Sequence, residues 1–177
     1  MAPQEFDVLF ETTKGSFRAR VHREWSPNGA DRLHELVEAG YYDDVAFFRV
    51  LDGFVAQFGI SGDPAVGAEW REKPIEDDAV VSSNRTGTIS FAMAGPGTRT
   101  TQLFINLADN TRLDDMGFSP VAEVTEGMEV VEALYSGYGE GAPRGNGPDQ
   151  GAIHGKGNDY LRASYPDLDY ITRATIV

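Results

Sequence analysis

A chain of 177 residues, 41% of them hydrophobic, is long enough for one domain with a sizeable core and too apolar to be disordered throughout. Its formal net charge of −13 argues against nucleic acid and anionic membranes as partners, since both demand concentrated lysine and arginine. It lacks cysteine, any apolar run of membrane-spanning length and a leader-like start at Met1-Ala2-Pro3-Gln4-Glu5, so disulfides are excluded and a cytoplasmic protein, or the mature part of an exported one, is expected.

Phe6 to Thr12 alternates apolar and polar residues, and Phe17, Ala19 and Val21 alternate again after Thr13-Lys14-Gly15. That pattern predicts a β-hairpin. Ser26-Pro27 has the chemistry of a helix start, a good N-cap followed by a residue suited to the first turn. Leu33, Leu36 and Val37 then form a one-sided stripe, and Gly40 ends the helix. Val45 to Val50 and Phe54 to Ile60 predict strands joined by the Asp52-Gly53 turn. Residues 61–86 read as mostly loop. Thr88 to Ala92 and Gln102 to Leu107 predict short strands, with a turn at Gly95-Pro96-Gly97 between them. Val121 to Val124 predicts a strand and Glu126 to Leu134 a second helix. The glycine-rich stretch 136–159 reads as a long loop, Tyr160 to Tyr165 as a short helix, and Tyr170 to Val177 as a closing strand. Many short strands with two helices predict a mainly β fold, a closed antiparallel barrel without exposed edges, in a single domain over 1–177.

Two segments stand out. Phe47-Phe48-Arg49-Val50-Leu51-Asp52-Gly53-Phe54-Val55-Ala56-Gln57 places a guanidinium inside an aromatic and β-branched run, and Phe91 to Ile105 places Gln102 inside an apolar one. A buried guanidinium is costly unless its donors are used. One explanation is an arginine at a strand end that extends its head to water. The other is a binding site.

The spacing F-x-R-x-x-x-G-F-x-x-Q, followed by A-x-A-G-P-x-T-x-x-x-Q-x-F-I, resembles the signature of the cyclophilins, peptidyl-prolyl cis-trans isomerases that bind cyclosporin. The likeness extends through Gly40-Tyr41-Tyr42-Asp43, Leu113-Asp114 and Glu126-Gly127-Met128, covering roughly residues 5–135. The tail resembles a bacterial-style subgroup with a longer C-terminal loop. The resemblance implies a closed eight-stranded antiparallel β-barrel capped by two α-helices. It also implies acceleration of rotation about X-Pro peptide bonds, in aid of protein folding, with no cofactor and no metal.

By that resemblance Arg49, Phe54 and Gln57 are the candidate catalytic residues. Val55, Ala92, Met93, Gln102, Phe104, Leu113 and Phe118 are candidate substrate-binding residues. Phe54, Phe104 and Leu113 match a proline socket, although on composition alone aromatic residues in strands are core. Ala92 and Met93 are expected to offer main-chain groups. The expected partners are proline-containing peptides and unfolded or folding proteins, bound by a monomer. The chain departs from the better-known pattern at several positions. Phe48 and Phe118 stand where histidine is common, Val55 for methionine, Met93 for asparagine, and Arg112 for a tryptophan whose indole helps hold cyclosporin. Weakened cyclosporin binding is therefore expected.

Other chemistries find little support. His22, His34 and His154 have no metal-ligand spacing. Asp43-Asp44, Asp77-Asp78 and Asp114-Asp115 read as solvated turns. Ser82, Ser83 and Ser90 have no histidine base nearby in sequence, and the glycines of 137–157 lack phosphate-loop spacing. The alternative of a different class is a module or chaperone that holds proline peptides without turnover. Such a module could dispense with Arg49, which is present here.

Overall fold

The computed structural model describes residues 1–177. The predicted hairpin forms as β1 (Glu5–Thr12) and β2 (Gly15–His22), paired from Glu5↔His22 to Thr12↔Gly15. Helix α1 (Pro27–Glu38) starts at the expected Pro27, but Ser26 makes no capping bond to the helix. Asp78 does that work instead, accepting from the backbone N–H groups of Asn28 at 3.1 Å and Gly29 at 2.9 Å.

The run expected as one strand over Val45 to Val50 is two. β3 (Val45–Ala46) and β4 (Arg49–Leu51) are separated by Phe47 and Phe48. These neighbours bury themselves in different places, Phe47 in the main core and Phe48 in a second apolar cluster. β5 (Val55–Phe58) follows, then a helix that sequence reading took for loop, α2 (Pro64–Arg71). β6 (Thr88–Phe91), β7 (Leu103–Asn106), a 3-10 turn at Thr111–Leu113, β8 (Pro120–Glu126) and the short α3 (Met128–Glu132) complete the central part.

The stretch expected to be loop over 136–159 holds the start of a helix, α4 (Gln150–Ser164), capped by the Asp149 carboxylate on the Ala152 N–H at 2.9 Å. Gly157 interrupts it with φ 64° and ψ −146°. A Cβ there would collide with the Gly62 carbonyl, so only glycine fits. Strand β9 (Tyr170–Ile176) ends the fold.

All ladders are antiparallel, in the order β3-β9-β1-β2-β8-β6-β7-β5-β4. The expected closed eight-stranded barrel with two helices is thus corrected. The molecule has a nine-stranded sheet curled into an open half-barrel, with four α-helices. Its two edges, β3 and β4, lie in one stretch of chain yet share no ladder, because the Phe47-Phe48 break turns them toward different partners.

Side chains alternate across the sheet as strand geometry requires. Ala56 and Phe58 of β5, and Leu103 and Ile105 of β7, point into the main core with Phe10, Phe17, Phe47 and Phe91. α1 adds Leu33, Leu36 and Val37 to that core, and α3 adds Val131. The second cluster seats α4, through Ile153 and Leu161, against Ala46, Phe48, Ile60, Leu168 and Tyr170. A third cluster is small and separate. Val55, Phe104 and Leu113 form it, with Phe54, Ala92 and Phe118 packed at its border. No helix is long and apolar enough to cross a membrane.

Candidate active site

The third cluster lies on the other face of the sheet from the main core. Arg49 pairs with Gln57 across β4 and β5, and Gln57 pairs with Phe104 across β5 and β7. The alternation that turns Ala56 and Phe58 inward turns Val55, Gln57 and Phe104 outward. Phe54 enters through the tight turn at Asp52-Gly53, where Gly53 adopts φ 72°. Its carbonyl is fixed by the Leu107 N–H and by Asn110 Nδ2, both at 2.8 Å. Leu113 arrives on the 3-10 turn. That turn is held by Asp114, which accepts from Ser83 Oγ at 2.6 Å and from the Asn84 backbone at 2.8 Å.

Around this cluster opens a cavity of about 480 Å³. Arg49, Phe54, Val55, Gln57, Ala92, Met93, Phe104, Leu113 and Phe118 all line it, so the structure brings together nine of the ten residues singled out from sequence. The tenth, Gln102, lines an adjoining smaller hollow with Gln57, Ala92, Met93, Thr98 and Thr100. Phe104 and Phe118 meet edge to face at 5.5 Å. The Ala92 N–H donates to the Gln102 carbonyl at 2.9 Å, while the Ala92 carbonyl accepts no hydrogen bond from the chain. A larger hollow of about 770 Å³ between the N-terminus and α1 shares no residue with this site and is lined largely by polar side chains.

Arg49 is the only cation lining the cavity that takes part in a continuous polar chain. Its Nη1 donates to Gln57 Oε1 at 2.9 Å, and Gln57 Nε2 donates to Gln102 Oε1 at 2.9 Å. Gln102 Nε2 donates in turn to Gln150 Oε1 at 3.3 Å. Its guanidinium carbon also lies 5.8 Å from the centre of the Phe54 ring. Arg112 contributes a second guanidinium to that ring, 5.2 Å from its centre.

Sequence reading missed the wall opposite the motif. Glu140, Arg144 and Gln150 line the cavity from the segment regarded as a solvated loop, and Met116 joins them. Glu140 grips Arg49 with both oxygens, at 2.7 Å to Nε and 2.8 Å to Nη2. The hydrogen bonds from Arg49 outweigh partial burial and hold the Glu140 carboxyl below its ordinary range. No spacing rule points to Glu140. The available signal was chemical, an arginine in an apolar run in need of a partner.

Two acidic pairs are not solvated turns. Asp78 is buried against Arg99, Nη2 to Oδ2 at 3.0 Å, with both side chains only 4% exposed. Asp114 organises the 83–84 segment as described above. Burial pushes both carboxyls up, and their hydrogen bonds overcome it and hold them below the usual value.

The comparisons with known proteins agree with this architecture. Residues 7–150 match the family model described as cyclophilin type peptidyl-prolyl cis-trans isomerase/CLD. Peptidyl-prolyl cis-trans isomerase-like 1 of Aspergillus fumigatus is 31% identical over 131 residues, covering 72% of this chain and 81% of that protein. Peptidyl-prolyl cis-trans isomerase CYP18-2 of Arabidopsis thaliana is 32% identical over 136 residues, with coverage of 73% and 80%. Isomerase cyp15 of Rhizopus delemar is 33% identical over 133 residues, but this chain spans 21% of its length. Among solved structures, a cyclophilin type isomerase of Cryptosporidium parvum superposes with a TM-score of 0.71 at 19% identity, covering 98% of both chains. The chain belongs to the cyclophilin-type peptidyl-prolyl cis-trans isomerases.

Proposed function

We propose that Arg49 is the group that lowers the rotational barrier and that the Phe54, Phe104 and Leu113 surface receives the proline ring. An X-Pro bond resists rotation because its C–N bond has partial double-bond character, with a barrier of about 18–20 kcal/mol. No bond is made or broken in the reaction. In the twisted state the proline nitrogen loses conjugation and becomes a better hydrogen-bond acceptor. A fixed N–H aimed at it binds that state better than either planar one, which is the condition for catalysis.

One observation carries this reading. Arg49 lines the apolar cavity with three of its five N–H groups committed to Gln57 and Glu140, which leaves one on each terminal nitrogen for a substrate. Val55, Met93 and Phe118 supply the remaining apolar wall, and the free Ala92 carbonyl offers main-chain pairing to the peptide. Gln57 and Gln102 orient the arginine and the peptide backbone. A cyclophilin type isomerase structure similar to this fold was obtained in the presence of the dipeptide Ala-Pro, which is in keeping with an X-Pro ligand. The natural substrates are exposed X-Pro segments of folding proteins, bound with little preference beyond proline because the cavity is open and shallow.

The test is a cis-to-trans assay on a short X-Pro reporter peptide. Wild type accelerates exchange, and Arg49→Ala loses about 10²-fold or more while remaining folded. Near-normal activity in the folded variant refutes the role of Arg49. No turnover by a well-folded wild type moves the chain to the peptide-holding alternative. Cyclosporin should bind weakly, since Arg112 replaces an indole at the edge of the cavity. Tight, submicromolar binding in a titration would contradict that.

A further inference from the structure

We infer that Glu140 is a positioning residue for the isomerase reaction, aiming the Arg49 guanidinium at the substrate from a segment outside the family motif. The inference rests on the role of Arg49 proposed above. The carboxylate takes the Nε–Nη2 edge of the guanidinium with two bonds, and Gln57 takes one Nη1–H. With Gln57 alone, the guanidinium could swing about a single hydrogen bond. A paired edge fixes its plane, since two parallel bonds add direction as well as strength. A long side chain that would otherwise sample many rotamers is thereby held ready before the peptide arrives.

The segment that carries Glu140 is built to hold it. The Glu140 carbonyl accepts from the Gly147 N–H at 2.8 Å, and the Gly147 carbonyl accepts from the Ala142 N–H at 3.0 Å and from Tyr165 Oη at 3.1 Å. The Gly141 N–H donates to Glu140 Oε1 at 2.9 Å, which restrains the carboxylate itself. A Cβ on Gly145 would collide with the Glu140 carbonyl, so the loop closes tightly on this residue. The same segment reaches the far end of the polar chain, where Gln150 accepts from Gln102. The chain from Arg49 to Gln102 is therefore gripped at both ends by residues 140–150.

The carboxylate also dilutes the positive charge of Arg49, an opposing effect. Direction outweighs charge here because no net charge develops during the rotation. The transition state presents a neutral lone pair, which needs an aimed N–H more than a bare cation.

The test compares wild type, Glu140→Gln and Glu140→Ala for kcat and KM separately, with thermal melts to verify folding. Glu140→Ala should lower kcat/KM about tenfold, mostly through kcat. Glu140→Gln should fall between, since its amide oxygen keeps one bond. The Arg49 Nε–H resonance, assigned by its loss in Arg49→Ala, should be sharp and protected from exchange in wild type and lose that protection in Glu140→Ala. Tyr165→Phe loosens the loop without touching Arg49 and should cost much less. Unchanged or raised activity in Glu140→Ala overturns the inference, the latter marking the carboxylate as a competitor of the substrate. An equal loss in Tyr165→Phe overturns it in favour of general loop closure. An inactive wild type defeats the assignment of Arg49 as well, and is told apart by the assay before any variant is made.

Discussion

Arg49 and Arg99 are both arginines of the two motif segments, and the protein uses them in opposite ways. The Arg99 side chain is 4% exposed and meets the Asp78 carboxylate, Ser26 Oγ and the Glu76 carbonyl, while its face lies over Phe91. It ties the 76–78 segment to the start of α1. The Arg49 side chain is 23% exposed, is held by Glu140 on its Nε–Nη2 edge and by Gln57 at Nη1, and lines a cavity. Each guanidinium makes three hydrogen bonds to its neighbours, so donor count does not separate them. The difference lies in where the unused donors end up: the Arg99 Nε is buried without a partner, whereas Arg49 keeps its free N–H groups at the wall of a cavity. Enclosure suits Arg99 to holding the fold, and access to the cavity suits Arg49 to the role proposed for it.

The strongest way to break this contrast is Arg99→Ala. It strands a buried carboxylate, and the loss should approach about 3 kcal/mol of stability, read as a lower denaturation midpoint at unchanged slope. Activity per folded molecule should persist, the reverse of Arg49→Ala. A collapse of specific activity in folded Arg99→Ala would mean that the two arginines are not separable. A smaller effect is expected of Phe104→Ala, which removes a ring that is buried yet faces the cavity. About 2–3 kcal/mol of stability should go, together with a rise in KM, because the same ring floors the site and packs on Phe118. A change in stability with no change in KM would return Phe104 to plain core.

The smallest effect is in acid. Asp78 has a folded-state carboxyl held below its ordinary value of 3.8. Its contribution is therefore complete above that value and drains away as pH falls through the lower folded value. Asp78→Asn should flatten the acid limb of a stability-against-pH curve, and Phe104→Ala, which touches no carboxylate, should lower the curve without reshaping that limb. An unaltered limb in Asp78→Asn would show that other carboxylates govern it.

Much of the site was legible because its residues are chemically incongruous in place. Arg49, Gln57 and Gln102 interrupt apolar runs, and strand alternation then turns all three to one face beside Phe104. The hairpin, α1 and most strands were legible from period alone. Asp63-Pro64 carries the same helix-start chemistry as Ser26-Pro27, and α2 was overlooked only because weak apolar periodicity follows it. α4 was hidden by Gly151, Gly155 and Gly157, whose composition reads as loop although Ile153 and Leu161 still bury one side. The split at Phe47-Phe48 could not be read, because both residues suit a strand and only the presence of two separate clusters pulls them apart. Glu140 was invisible for a similar reason. Its partner lies ninety-one positions away, and no local pattern links them.

Strand β9 sits between β1 and β3 and carries one edge of the sheet. Val45 and Ala46 are paired by Ile171 and Tyr170 alone, and Arg49 follows three residues later. The sheet edge that precedes Arg49 is thus held by the opposite end of the chain, one of the longest loop closures the fold contains. On the role proposed for Arg49, a molecule in which this edge has not yet formed would not speed the isomerisation of its own prolines from within, and any help of that kind would come from another molecule.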